Sequence, residues 1–300
     1  MTADTVTIAD VEHARAAIAG KVLRTPIVQS ASLSEKLGRP VWLKLEHRQS
    51  TGSFKLRGAT NALSQLSKEE RSRGVIAAST GNHGRALAYA ARLEGLRAVI
   101  CMSRLVPGNK VEEIRRLGAE IHIVGNSQDH AQQEVDRLIR QEGLVMVPPF
   151  DGASVIAGQG TLGLEIIEDI PDVRCVLIPL SGGGLAAGVA RAVRAKRPET
   201  RLVGISMQNG AAMHASLSAG RPVLVEECES LADSLGGGIG LDNRYTFAMV
   251  RELLDDVVLL TEQEIAAGIF HAYRHEREVI EGAAAVGIAA LLAGKVQPPR

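Results

Sequence analysis

The sequence predicts an α/β fold of two three-layer lobes, each built on a mostly parallel sheet, with a cleft between them. Three observations predict it. Short apolar runs alternate with amphipathic stretches of helical period, the pattern of crossover connections. Several of those runs feed polar or glycine-rich loops that open helices. And 300 residues with 45% hydrophobic content can build more than one core of ordinary size.

Val41 to Leu45 (VWLKL) reads as a strand. Gly74 to Ala78 (GVIAA) is a second, entering the loop Ser79-Thr80-Gly81-Asn82-His83-Gly84, after which Arg85 to Glu94 has helical period. Arg97 to Met102 is a strand, Lys110 to Leu117 a helix, and Glu120 to Val124 a strand. Ser127 to Glu142 is helical and Leu144 to Val147 a short strand. Cys175 to Leu180 (CVLIPL) is a strand that feeds Ser181-Gly182-Gly183-Gly184 and a helix. Leu202 to Ser206 is a further strand. The expected division is a large domain of residues 1–73 and 148–300 and a small mobile domain of 74–147.

Composition narrows the function. The 34 basic and 34 acidic residues balance, and aromatics are 3%, so nucleic-acid binding has no electrostatic footprint. Cys101, Cys175 and Cys228 form no CxxC and read as thiols of a reducing compartment. The N-terminus has no apolar signal region, and the alanine-rich stretch from Gly282 to Gly294 is too short to span a bilayer. The expectation is a soluble cytoplasmic protein with no membrane partner.

Lys55 is the first candidate for chemistry. It lies in Ser-Thr-Gly-Ser-Phe-Lys-Leu-Arg-Gly at 50–58, among small hydroxyl residues, glycines and one ring. An amine there is a natural Schiff-base former, provided its surroundings hold its pKa down, and Arg57 is one group that would do so. A solvated loop lysine fits the same stretch. Ser181-Gly182-Gly183-Gly184-Leu185, between a strand and a helix, reads as an anion cradle, because successive glycines expose backbone N–H groups at a helix N-terminus. No Lys-Ser/Thr follows, so it is not a nucleotide P-loop. Ser79 to His83 suits a carboxylate, or simply caps the next helix.

Two motifs are set aside. Gly158 to Gly163 matches G-x-G-x-x-G, but it lacks the acidic residue about twenty positions on and reads instead as a closely packed helix. His271, His275 and Glu278 have a spacing that can bind zinc, yet Ala272 stands where a zincin needs glutamate, and the charged segment reads as a solvated face.

In order along nearly the whole chain stand KLE at 44–46, TGSFKLRGA at 51–59, STGNHG at 79–84, PFD at 149–151, VIAGQGTLGLEI at 155–166, SGGGLAAG at 181–188 and DDVVLLTEQEI at 255–265. With these motifs the chain resembles the fold-type II pyridoxal-phosphate enzymes, which have a tryptophan synthase β-like fold, and within them the threonine/serine dehydratase group. SRLVP, MVPPFD and LADSLGGGIGLDNRYTF bring it nearest to the hydroxyectoine-utilisation dehydratases. The resemblance implies pyridoxal 5′-phosphate as cofactor, held in the cleft, and a homodimer. It implies Lys55 as the Schiff-base lysine and general base, and Phe54 beside the cofactor. Asn82 would contact the pyridoxal 3′-oxygen. Ser181, Gly182, Gly183, Gly184 and Leu185 would hold the phosphate, and Ser79, Thr80, Gly81 and His83 would receive the substrate carboxylate.

The departures are informative. The group's racemases carry serine at the position of Thr80, whose methyl crowds the site. Ser206 and Ala212 stand where some members place cation-binding carboxylates, so no metal is expected there. The family's C-terminal Ser-Gly-Gly-like turn, whose hydroxyl meets the pyridine nitrogen, has no counterpart before Arg300. The expected reaction is elimination of water from a small β-hydroxy amino acid, giving a 2-oxo acid and ammonia. An amino-acid racemase, a β-replacement synthase and an inactive cofactor-binding protein are the alternatives.

Overall fold

The computed structural model describes residues 5–79, 81–106 and 108–297. Helix α1 (Ile8–Ile18) starts on a reciprocal cap: the Thr7 hydroxyl accepts from the Asp10 N–H, and the Asp10 carboxylate accepts from the Thr7 N–H. Strands β1 (Ile27–Gln29) and β2 (Trp42–Lys44) form an antiparallel pair around α2 (Ala31–Leu37). Helices α3 (Lys55–Ser64) and α4 (Lys68–Arg73) follow.

A four-stranded parallel sheet then forms within residues 75–146. Its elements are β3 (Val75–Ala78), α5 (Asn82–Leu93), β4 (Ala98–Met102), α6 (Gly108–Arg116), β5 (Glu120–Ile123), α7 (Gln128–Glu142) and β6 (Val145–Met146), in strand order β5-β4-β3-β6. Every residue of β3 and β4 is buried. That explains their unbroken apolar reading, since a parallel strand covered on both faces has no polar side.

Beyond it come α8 (Ala153–Asp169), β7 (Cys175–Pro179), α9 (Gly184–Lys196), β8 (Arg201–Met207), α10 (Ala212–Ala219), α11 (Thr246–Leu253), β9 (Asp256–Leu260), α12 (Glu262–His271) and α13 (Gly282–Leu292). Strands β7, β8 and β9 make a second parallel sheet in that order. Each sheet has its own core. Leu87, Ile100 and Ile114 anchor one, whereas Ile178, Val193 and Leu202 belong to the other.

Three expectations meet the structure here. The helix after β3 begins at Asn82, three residues earlier than its period suggested, because the Gly81 carbonyl already accepts the Arg85 N–H. The G-x-G-x-x-G stretch lies inside α8, where a Cβ on Gly158 would meet the Arg57 carbonyl oxygen at 2.6 Å. The absent side chain lets α8 press against α3. Beyond His271 the helix loosens into a π turn and ends at Arg277 with φ 59°. Glu278 therefore leaves the face shared by His271 and His275 and pairs with His47 at 2.7 Å.

Candidate active site

Lys55 is the first residue of α3. Its Nζ donates to the Pro149 carbonyl at 2.6 Å and lies 5.6 Å from the centre of the Phe54 ring. Packed on every side but the cleft, the amine loses hydration. That burial lowers its pKa to about 8, against an opposing pull from the Glu281 carboxylate. The neutral amine is therefore far more populated near neutral pH than in an ordinary lysine.

Arg57 does not lower Lys55 as the sequence suggested. Its guanidinium is wholly buried and spent on carboxylates: Glu46 at 2.8 and 2.9 Å, and Glu165 at 2.6 and 2.9 Å. Lys44 joins the cluster through Glu165 at 2.5 Å. With its charge neutralised on both sides, Arg57 fixes the helix that carries Lys55 instead.

The loop at 181–185 borders the same cleft, which has a volume of about 1830 Å³. Gly183 is the N-cap of α9 with φ 90°, a conformation that strains any L side chain. A Cβ on Gly182 would meet the Phe150 ring at 2.5 Å. No side chain caps α9. Nearby α11 is capped by Asp151, whose carboxylate accepts from the backbone N–H groups of Arg244, Tyr245 and Thr246 at 2.7, 3.0 and 2.9 Å. One helix N-terminus thus carries its own anion while the other opens on the cleft.

Ser79, Gly81, Asn82 and His83 also line the cleft, whereas Thr80 lies outside the described residues. The Ser79 hydroxyl accepts from the Gly84 N–H at 3.0 Å. His83 is buried, and its Nε2–H donates to the Val147 carbonyl at 2.8 Å. Burial, aided by the Lys55 charge, lowers its pKa to about 3, so the ring is neutral. Asn82 Nδ2 donates to both carboxylate oxygens of Glu281, at 2.9 and 3.2 Å.

Several groups at this site escaped the sequence reading. Pro149 acts through its carbonyl, which leaves no side-chain signature. Glu281 stands just before the entirely apolar α13 without capping it through its side chain, and a lone carboxylate there was a signal available in the sequence. Ser234 donates to Glu281 at 3.2 Å. The Ser53 hydroxyl, which the sequence did offer, is buried in the cleft wall and has no partner. The His271 Nε2 is taken up by Glu276 at 3.1 Å, and no group of three metal-ligating side chains occurs among the described residues.

Comparison with known proteins agrees with this geometry. The family model described as pyridoxal-phosphate dependent enzyme matches residues 18–300. A Sinorhizobium fredii protein, provisionally named a threonine dehydratase, is 65% identical over 97% of this chain and 88% of its own. The L-threonine ammonia-lyase of Thermotoga maritima is 42% identical over 96% of this chain and 71% of its own. Among solved structures, maize serine racemase superposes with a TM-score of 0.93 at 33% identity, covering 97% of this chain and 87% of that one. The processed form of threonine deaminase isoform 2 from Solanum lycopersicum gives 0.91 at 33% identity, covering 99% and 85%. The fold is that of the fold-type II group, and the chain belongs to the pyridoxal-phosphate dependent enzymes.

Proposed function

We propose that this enzyme is an ammonia-lyase that removes water from a small β-hydroxy amino acid and releases a 2-oxo acid and ammonia. The observation that carries the reading is Lys55: a partly neutral amine facing a cleft that also holds an uncapped helix N-terminus. The residues present fit pyridoxal phosphate. The open N–H groups of the glycine loop suit a phosphate, Asn82 offers amide donors, and the unpartnered Ser53 hydroxyl waits in the same wall. When bound, pyridoxal phosphate supplies a conjugated ring that draws off the electron pair left at the substrate α-carbon.

The chain's own residues do the rest. Gly182, Gly183, Gly184 and Leu185 hold the phosphate through backbone N–H groups, flanked by Ser181. Asn82 would donate to the ring oxygen, and Phe54 would pack beside the ring. Ser79, Thr80, Gly81 and His83, the last in the first turn of α5, receive the substrate carboxylate. Lys55 Nζ takes the α-proton, with the Pro149 carbonyl aiming it at the cleft. The β-hydroxyl leaves with a proton as water, and hydrolysis of the remaining enamine yields the 2-oxo acid and ammonia. Residues 74–147, acting as a small domain, close over the substrate and exclude water.

The substrate proposed is threonine- or serine-like, or an amino acid derived from hydroxyectoine. MVPPFD supplies Pro149 and Phe150, and LADSLGGGIG supplies a stretch of the cleft wall that includes Ser234 and Gly237. Those motifs carry the hydroxyectoine reading. A panel of β-hydroxy amino acids, scored for keto acid and ammonia, tests it: a protein that binds the cofactor yet releases neither from any of them overturns the lyase. The likeness to maize serine racemase keeps racemisation as the second reading. It requires solvent deuterium to enter inverted substrate faster than keto acid forms.

A further inference from the structure

Asn82 sits between opposite charges. Its Oδ1 accepts a close hydrogen bond from the Arg85 guanidinium, and its Nδ2 donates to the Glu281 carboxylate. Arg85 is held in turn by Glu113 of α6, at 3.0 and 3.2 Å. Each contact admits one amide orientation only. Arginine has no acceptor and an ionised carboxylate has no donor, so turning the amide over would set N–H against guanidinium and oxygen against carboxylate. Sequence alone leaves Asn82 free to donate or to accept. The Glu113–Arg85 pair removes that freedom from the side away from the cleft.

We propose that Arg85 is a positioning residue that makes Asn82 a fixed donor toward the cofactor's ring oxygen. This rests on the cofactor site proposed above. An oxygen with negative charge needs a donor, and it takes the place that Glu281 holds at Nδ2. Arg85 stays on Oδ1 throughout. By drawing electron density from Oδ1 it also strengthens the N–H groups that face the cleft. A glutamine at position 85 could donate to Asn82 but would bring no charge to Glu113. A lysine brings charge but not the two-armed geometry that spans Glu113 and Asn82 at once.

The test is a double-mutant cycle read out as the dissociation constant of pyridoxal phosphate, titrated into the cofactor-free full chain. Arg85→Ala is expected to weaken binding about threefold to tenfold, less than the full worth of a charge-assisted hydrogen bond, because Arg85 reaches the cofactor only through Asn82. In an Asn82→Ala background the same change is expected to leave the constant within about twofold, since Arg85 acts only through Asn82. Arg85→Lys should restore part of the loss. Arg85→Ala weakening binding equally in both backgrounds would overturn the proposal, as would no weakening in either. If Asn82→Ala alone leaves cofactor affinity unchanged, the cofactor reading of Asn82 fails, and that outcome is distinct from a missing coupling. Unfolding midpoints of all four proteins separate lost affinity from lost fold.

Discussion

Lys55 and Arg57 stand two residues apart at the start of one helix, one lining the cleft and the other wholly buried, and their electrostatic fates are opposite. Arg57 has two carboxylates within hydrogen-bond reach and stays firmly charged, its pKa raised by them. Lys55 has a neutral carbonyl as hydrogen-bond partner, and burial drives its pKa down to about 8. The difference teaches that burial alone does not make an amine reactive. What decides is whether counter-charge is supplied along with it. The same helical turn therefore contains a structural cation and an amine whose charge is held only weakly.

Breaking each member of the pair gives the largest effects. Lys55→Ala should leave the protein folded and lower keto-acid release by about a thousandfold or more, because anchor and base are lost together. Residual turnover within tenfold of the parent would remove Lys55 from the mechanism. Arg57→Met should leave Glu46 without its counter-ion and Glu165 with Lys44 alone, and cost about 3–5 kcal/mol, measured by denaturant unfolding. A loss near zero would mean that the carboxylates find other partners.

Smaller changes sharpen the contrast. His83 is a third buried base, held neutral with a folded-state pKa of about 3. As pH falls below the unfolded value near 6.5, the unfolded chain binds a proton that the folded one refuses. Its stabilising contribution is thus complete above pH 6.5 and is lost progressively toward pH 3, at up to about 1.4 kcal/mol per pH unit. His83→Gln should flatten that acid limb, seen by comparing unfolding curves at pH 7 and pH 5. Smallest is Glu281→Gln. Glu281 raises the Lys55 pKa, so its removal should move the pH midpoint of Lys55 labelling by an amine-selective reagent, in the cofactor-free protein, to lower pH. An upward move would show that Glu281 acts on Lys55 in some other way.

The residues that announce themselves in the sequence are those whose side chains, or lack of them, do the work. Lys55 stood out among small neighbours, and Gly182 to Gly184 stood out as a run at a strand end. The strands were legible because parallel strands covered on both faces read as unbroken apolar runs. Pro149 was hidden because a carbonyl is the same in every residue. The Asn82–Glu281 contact was hidden because 199 positions of chain separate its partners. The start of α5 was misplaced because polar residues that serve a site look like loop when periodicity is the guide. Arg57 was assigned the wrong effect because its carboxylates, Glu46 and Glu165, come from elsewhere in the chain.

The tripeptide Pro149-Phe150-Asp151 touches three things at once. Its first carbonyl holds the Lys55 amine, the Phe150 ring lies against Gly182 and the Phe150 backbone against Gly184, and its carboxylate ties down the start of α11. Three consecutive residues cannot move independently by more than their few backbone torsions permit. The segment is a short rigid link between the anion loop and the amine, pinned at its far end. On the function proposed above, a shift of the loop on phosphate binding would also shift the carbonyl that holds Lys55. Loading the site and aligning the amine would then share one mechanical coordinate.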